Sequence, residues 1–287
     1  MSLHVESHGS GAPLLLIHGW GMHGGIWGSV VPQLAQRFRV HCVDLPGYGL
    51  SAHPSPSGRG IKGEGVHDEK GAPDARQPLT PTLSQGERGL EQLDAIVSAL
   101  AVQFDAPLNI CGWSLGGQVA LRWAQLAPQQ VRRLVLVAST PCFAERDDWL
   151  FGMAQAVLQQ FAAELERDYA TTLRRFLSLQ VRGSENEREL LLVLRECLFS
   201  RGEPDQAALR VGLEILRDAD LRAELPAIRQ PALVIAGERD KLTPPEASFY
   251  LAQALPDARV EEIAGAAHTP FVSHPQIFLQ HVNEFLA

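Results

Sequence analysis

Apolar and polar positions alternate along the chain in two registers. Short runs rich in Val, Leu and Ile occur at "PLLLIHG" (13–19), "FRVHCVDLPG" (38–47), "LNICGWS" (108–114), "VRRLVLVAST" (131–140), "PALVIAGERD" (231–240) and "ARVEEIAGAAH" (258–268), as expected of buried parallel strands. Between most of them lie stretches with apolar residues at helical spacing, such as "LEQLDAIVSALAVQF" (90–104), "GGQVALRWAQLAP" (116–128) and "HPQIFLQHVNEFLA" (274–287). The alternation predicts an α/β fold with a mostly parallel central sheet and helices on both faces.

Two segments break the alternation. Residues 143–225 hold no convincing strand, while "WLFGMAQAVLQQFAAELERDYATTLRRFLSLQV" and "ERELLLVLRECLF" read as amphipathic helices, so a helical cap is expected there. The core is then expected to span 1–142 and 226–287. Residues 53–89 are crowded with Gly, Pro, Ser and charge and poor in large apolar side chains, which predicts a low-complexity, flexible loop insertion.

Composition narrows the function classes. With 287 residues and 45% hydrophobic content the chain can bury a substantial core. A net charge of −8 disfavours general nucleic-acid binding. No apolar stretch is long enough for a membrane span, and "MSLHVESHGSGAP" lacks the pattern of a secretory signal, so a cytoplasmic protein is expected. The four cysteines are scattered without a CxxC pair, and no two histidines form an HExxH pair. Neither a metal site nor a cofactor is expected, and the thiols read as reduced and structural.

The candidate chemistry sits at strand ends. Gly112, Ser114 and Gly116 form a G-x-S-x-G pattern at a strand-to-helix junction, where small neighbours permit a tight turn that presents the serine hydroxyl above the sheet. A serine needs a base, and the base an orienting acid. Asp240 ends the run in "VIAGERDKLTP" and His268 ends the next in "IAGAAHTPF", giving the order Ser, Asp, His. The "HGWG" turn after the first clear run could bring the backbone N–H of Trp20 beside that of Leu115, forming an oxyanion hole. His18 and Asp44 read as loop braces and His274 as a helix-start residue, while His23 and His41 have no partner suggested by sequence.

Taken together, "HGWGMHGGIW", "VDLPGYGLS", "GWSLGG", "ASTPCF", "RFLSLQ", "GLEILRDADLR", "GERDKLTP" and "AAHTPFVSHP" resemble the α/β-hydrolase family. Within it they are similar to the esterases of biotin synthesis that act on pimeloyl-acyl carrier protein methyl ester. The resemblance covers nearly the whole chain except 53–89. It implies a serine carboxylesterase with Ser114 as nucleophile, His268 as base and then acid, and Asp240 orienting the imidazole. It further implies that Trp20, Ser114, Leu115 and His268 contact substrate and that Phe176, Leu177, Ser178, Leu179 and Gln180 line an acyl channel. The carrier is acidic, and the resemblance aligns Arg175 and Arg188 with carrier contacts, whereas Thr171 and Leu192 occupy two other positions of that set. Arg174 and Arg182 are candidates to compensate. A monomer without nucleic-acid or membrane partners is expected. Two other readings use the same residues: a broad carboxylesterase or lactonase on free small esters, and a noncatalytic hydrolase-like binding module.

Overall fold

A computed structural model describes residues 3–51 and 84–287. Seven strands form one sheet: β1 (Val5–His8), β2 (Ala12–Ile17), β3 (Phe38–Val43), β4 (Leu108–Trp113), β5 (Val131–Val137), β6 (Ala232–Gly237) and β7 (Ala258–Ile263). Their spatial order is β1-β3-β2-β4-β5-β6-β7, with β1 antiparallel to β3 and every other pairing parallel. After β3 the chain crosses over β2 to reach β4, so the strand order reverses between β2 and β4. In open α/β sheets that crevice, at the carboxyl ends of the strands, is where ligands collect.

The helices are α1 (Val31–Leu34), α2 (Gln85–Ala101), α3 (Leu115–Leu126), α4 (Gln155–Arg167), α5 (Tyr169–Val181), α6 (Glu187–Leu198), α7 (Gln206–Asp218), α8 (Pro245–Ala254), α9 (Pro270–Ser273) and α10 (Pro275–Leu286). They cover both faces of the sheet: α1 meets α10, and α3 packs on α2, β4 and β5. Every residue of β4 and β6 is buried, in keeping with their largely apolar sequence, which only Asn109 of β4 interrupts. Helices α4 to α7 stand between β5 and β6 in the chain, and α7 lies against α2 of the α/β layer.

The strand runs end earlier than their apolar patterns do, because the residues at their carboxyl ends peel off into loops. β1 is absent from the predicted set; it is short and half exposed, and only its pairing with β3 makes it a strand. Helix α2 starts at Gln85, not at 90, so part of the segment expected to be a loop, 84–89, is its cap and first turn. Ser84 accepts from the Glu87 N–H while the Glu87 carboxylate accepts from the Ser84 N–H, a reciprocal capping box. Gly89 lacks a side chain for packing reasons, since a Cβ there would lie 2.6 Å from the Ala219 nitrogen at the end of α7. The remainder of that expected loop, 53–83, lies outside the described residues. Residues 149–154 are not helical: Trp149 and Met153 bridge back to Arg146 and Ala144, and the helix begins at Gln155.

Candidate active site

Ser114 stands between β4 and α3 with φ 55° and ψ −118°, a left-handed conformation that a side-chain-bearing residue holds only when its surroundings impose it. Those surroundings are backbone. A Cβ on Gly112 would lie 2.3 Å from the Gly116 carbonyl oxygen, and one on Gly116 would lie 2.3 Å from the Ile17 carbonyl oxygen. The two glycines therefore let α3 press against the ends of β4 and β2. Beneath the turn, the Ser139 hydroxyl donates to the Ser114 carbonyl at 2.9 Å.

Asp240 and His268, the candidate acid and base, lie in the loops that follow β6 and β7. His268 donates from Nδ1 to Asp240 Oδ2 at 2.8 Å, with both side chains buried. Asp240 Oδ1 also accepts from the backbone N–H groups of Leu242 (2.8 Å) and Thr243 (3.0 Å), and Oδ2 accepts from the Thr243 hydroxyl (2.7 Å). Four donors thus saturate the carboxylate. The other ring nitrogen of His268, Nε2, is buried and makes no hydrogen bond, so it is free to accept a proton. Among the described residues nothing, Ser114 included, is hydrogen-bonded to it. His268 is held by its backbone as well: its carbonyl accepts from the Trp113 indole at 2.8 Å and its N–H donates to the Gln180 carbonyl at 3.1 Å.

The parallel register sets Ile17 opposite Gly112, which brings the turn after β2 next to the start of α3. Gly19 shows how close: a Cβ there would lie 3.2 Å from the Ser114 Cβ. Among the described residues, no acceptor is bonded to the backbone N–H of Trp20 or of Leu115. The Trp20 turn is braced by His18, whose Nδ1 donates to the Gly19 carbonyl (2.8 Å) while Nε2 accepts from the Leu45 N–H (2.9 Å). Burial lowers the His18 pKa to about 4, so the ring is neutral at physiological pH and able to play both parts.

Asp44 braces the neighbouring loop, accepting from the N–H groups of Gly24 (2.7 Å) and Leu50 (2.9 Å) and from Arg201 at 3.0 Å on each oxygen. Burial alone would raise its pKa, but the Leu50 and Gly24 bonds, His18 and Arg201 outweigh that and hold it below the usual carboxylate range. Arg201, just beyond α6, also reaches Glu6 at 2.6 Å, and so ties the helical segment to both β1 and the β3 loop. Nothing in the sequence pattern points to that clamp. His23 gains partners as well: Nδ1 accepts from the Gly25 N–H and Nε2 donates to the Cys197 carbonyl at 2.7 Å. His41 bonds the Ser7 hydroxyl, and His274 occupies the N-cap of α10, where its side chain meets Ser273.

Of the residues implied to line an acyl channel, Phe176, Leu177 and Gln180 are buried, while Leu179 and Ser178 are half-buried. Phe176 meets the Trp20 indole edge-on at 4.8 Å, and Phe161 joins them from α4. The Trp20 indole itself donates to the Leu209 carbonyl of α7, fastening the turn to the helices above it. The Ser178 hydroxyl is occupied within its own helix, donating to the Arg174 carbonyl. Arg174, Arg175, Arg182 and Arg188 are all exposed. Arg175 is paired with Glu164 at 2.7 Å, whereas Arg182 and Arg188 have no ion pair among the described residues.

A cleft of about 280 Å³ opens between α4 and α7, lined by Leu158, Leu165, Arg210, Leu213 and Arg217, and touches none of Ser114, Asp240 or His268. The candidate site is therefore located by Ser114, Asp240 and His268 and by the two open N–H groups, not by a cavity. Among the described residues no group of three or more His, Cys, Asp or Glu could hold a metal, and no helix is long and apolar enough to cross a membrane.

Residues 12–275 match the family model described as alpha/beta hydrolase fold. A protein of Nitrosomonas europaea, named a pimeloyl-[acyl-carrier protein] methyl ester esterase, is 41% identical over 278 residues, covering 97% of each chain. One of the same name from Nitrosospira multiformis is 40% identical, covering 99% of this chain and 98% of its own. Among solved structures, a bromoperoxidase from Bacillus anthracis superposes with a TM-score of 0.80 at 21% identity, covering 99% of this chain and 95% of that one, a likeness of fold alone. The chain belongs to the α/β-hydrolase fold family and, within it, to the family of the pimeloyl-[acyl-carrier protein] methyl ester esterases.

Proposed function

We propose that the protein is a serine carboxylesterase that hydrolyses the methyl ester of pimeloyl-acyl carrier protein in biotin synthesis. The observation that carries the chemistry is the His268–Asp240 pair, with a buried, unbonded Nε2 at the same sheet edge as the strained Ser114 turn. The substrate rests on the names of the relatives.

In this reading His268 Nε2 removes the Ser114 hydroxyl proton as Oγ attacks the ester carbonyl, and Asp240 stabilises the resulting imidazolium. The oxyanion takes the N–H groups of Trp20 and Leu115, the second of which opens helix α3, where the helix dipole favours negative charge. Collapse breaks the ester C–O bond, and His268 returns the proton to the departing methanol. Water, deprotonated by the same nitrogen, then releases the free carboxylate. Phe176, Leu177, Ser178, Leu179 and Gln180 line the acyl channel in a cap of residues 143–225, and Arg174, Arg175, Arg182 and Arg188 meet the acidic carrier by charge-assisted contacts. The protein acts as a cytoplasmic monomer without a cofactor.

The test is kcat/KM for methyl pimeloyl-acyl carrier protein beside that for a methyl ester of free pimelate at one salt concentration, with Ser114→Ala as the inactive control. A strong preference for the carrier-bound ester is expected. Comparable values would move the substrate to free small esters, and undiminished turnover by Ser114→Ala would remove the nucleophile.

A further inference from the structure

The Thr243 hydroxyl occupies a place that the triad does not by itself require. Its oxygen lies 2.7 Å from Asp240 Oδ2 and 3.3 Å from His268 Nδ1, while those two atoms are 2.8 Å apart, so three polar atoms form a closed, buried triangle. The hydrogens in that triangle have one consistent arrangement. An ionised carboxylate only accepts, so both the hydroxyl and the ring nitrogen point their protons at Oδ2. The hydroxyl lone pair then faces the Nδ1–H. If the ring carried its proton on Nε2 instead, the Nδ1 lone pair would oppose Oδ2 at 2.8 Å, and only the longer hydroxyl contact could satisfy it.

We propose that Thr243 is a positioning residue for proton transfer: its hydroxyl holds His268 in the Nδ1–H tautomer and, by sharing Asp240 Oδ2, limits the pull of the carboxylate on the imidazolium. The inference rests on the Ser114–His268–Asp240 esterase reading and adds a fourth side chain to it. In the reacting step the Ser114 proton moves to Nε2 while Nδ1 keeps its own, and the hydroxyl proton stays on Thr243. The positive charge that develops on the ring is therefore balanced by a carboxylate already engaged by three other donors. The sign of the effect follows. Without the hydroxyl, Oδ2 is more basic and attracts the imidazolium more than the neutral ring, so protonated His268 persists to higher pH and the base form is lost there.

Other charges near the group are at its rim. Arg239 and Lys241 flank Asp240, Glu238 accepts from the Gly265 N–H at 2.7 Å, and Glu185 approaches Gly265 from the turn after α5. Arg239 lies 3.7 Å from Glu238 and 3.9 Å from Glu185, and all four are at least partly open to solvent, where screening weakens them. Among the described residues Asp240 is the one ion-pair partner of His268.

The test compares pH profiles of kcat/KM on p-nitrophenyl butyrate for the wild type, Thr243→Val and Thr243→Ser. Loss of the hydroxyl in Thr243→Val is expected to move the acid limb up by about 0.5–1 pH unit, and Thr243→Ser to restore it. Thr243→Ala gives the same comparison if the valine variant does not fold. An unshifted limb in the hydroxyl-free variant, or an equal shift in Thr243→Ser, overturns the proposal, since lost packing would produce the second pattern. The His268 titration, followed by ¹⁵N NMR of the resting enzyme, reports the same shift without turnover. Failure of the esterase reading would instead appear as a wild type inactive on every ester.

Discussion

The Ser114 turn and the arginine-bearing helices above it are held by different means. The turn is fixed chiefly by backbone against backbone, Gly112 against Gly116 and Gly116 against the end of β2, with the Ser139 hydroxyl bonded beneath the Ser114 carbonyl. The helical segment from α4 to α7 is held chiefly through side chains: Leu165, Phe176, Leu209 and Ile215 are among its residues buried in the common core, and the Trp20 indole on Leu209 and Arg201 on Asp44 and Glu6 add polar ties. A reacting centre needs its geometry held to fractions of an ångström, and backbone packed on backbone supplies that, whereas contacts made through side chains can adjust by rotamer changes.

The sharpest way to break this comparison is to place the same methyl group in each region. In Gly116→Ala the new Cβ would meet the Ile17 carbonyl oxygen at 2.3 Å, and backbone cannot swing aside. A loss of more than about 4 kcal/mol, or failure to fold, is expected in denaturant unfolding. Gly202, just beyond α6, has φ +88° but nothing within 4 Å of where a Cβ would stand, so Gly202→Ala should cost only about 1 kcal/mol of left-handed strain. Similar losses at the two sites would mean that the turn tolerates movement and that its rigidity is overstated.

The clamp comes next in size. Arg201→Met leaves the buried Asp44 carboxylate facing a thioether, and breaking a buried pair from one side costs about 3–5 kcal/mol. The two N–H donors that Asp44 retains favour the lower end of that range. Thermal unfolding of Arg201→Met, Asp44→Asn and the double variant gives the coupling between them. Additive losses would show that Arg201 acts through Glu6 or by packing, and the segment would then lack its main electrostatic tie to the α/β layer.

These contrasts also explain what could be read from the chain alone. Ser114, Asp240 and His268 were legible because each lies where a buried apolar run meets Gly-rich or Pro-rich loop sequence, and their order along the chain is itself a signature. The central strands were legible because burial on both faces favours mostly apolar runs rich in Val, Leu and Ile. β1 was not, because half-exposed "VESH" becomes a strand only through its pairing with β3. Residues 84–89 looked like loop because Gly89 serves a contact with Ala219 more than a hundred residues away, although Ser84 and Glu87, three apart, carried a readable capping signal. Arg201 left no trace because its partners, Glu6 and Asp44, are distant in sequence. Thr243 could have been noticed: a hydroxyl three residues after a strand-end aspartate is well placed for a local side-chain bond.

Acid separates the two regions more gently. The His18 pKa lies near 4 in the folded protein against an ordinary 6.5, so between those values the unfolded chain binds the additional proton. Its contribution to stability is thus complete above pH 6.5 and declines as pH falls toward 4. Within that range the folded protein keeps His18 neutral, so the brace on the Trp20 turn stays intact while the margin of stability shrinks. His18→Asn is expected to flatten that part of the stability curve in urea titrations at pH 4.5 and 7.5, whereas removing any of the exposed arginines should leave the slope unchanged. An unaltered slope in His18→Asn would transfer the acid sensitivity to another buried group.

The smallest effect belongs to the arginines, and it is the one that bears on the substrate. Arg175 already has an internal partner in Glu164 at 2.7 Å, so an incoming carboxylate of the carrier must compete for it, while Arg188 is open among the described residues. Exposed pairs contribute about 0.2–1 kcal/mol each, so reversing both charges in Arg175→Glu/Arg188→Glu is expected to raise KM for the carrier-bound ester roughly 10-fold at low salt. The increase should shrink at high salt, with KM for a free methyl ester nearly unchanged. Arg188→Glu alone should account for more of the change than Arg175→Glu alone, because Glu164 already holds Arg175. If both esters suffered equally, the substitutions would be acting on the packing of α5 and α6 rather than on a docking face. The backbone-built Ser114 turn and the side-chain-held segment above it would then no longer correspond to separate tasks of reaction and recognition.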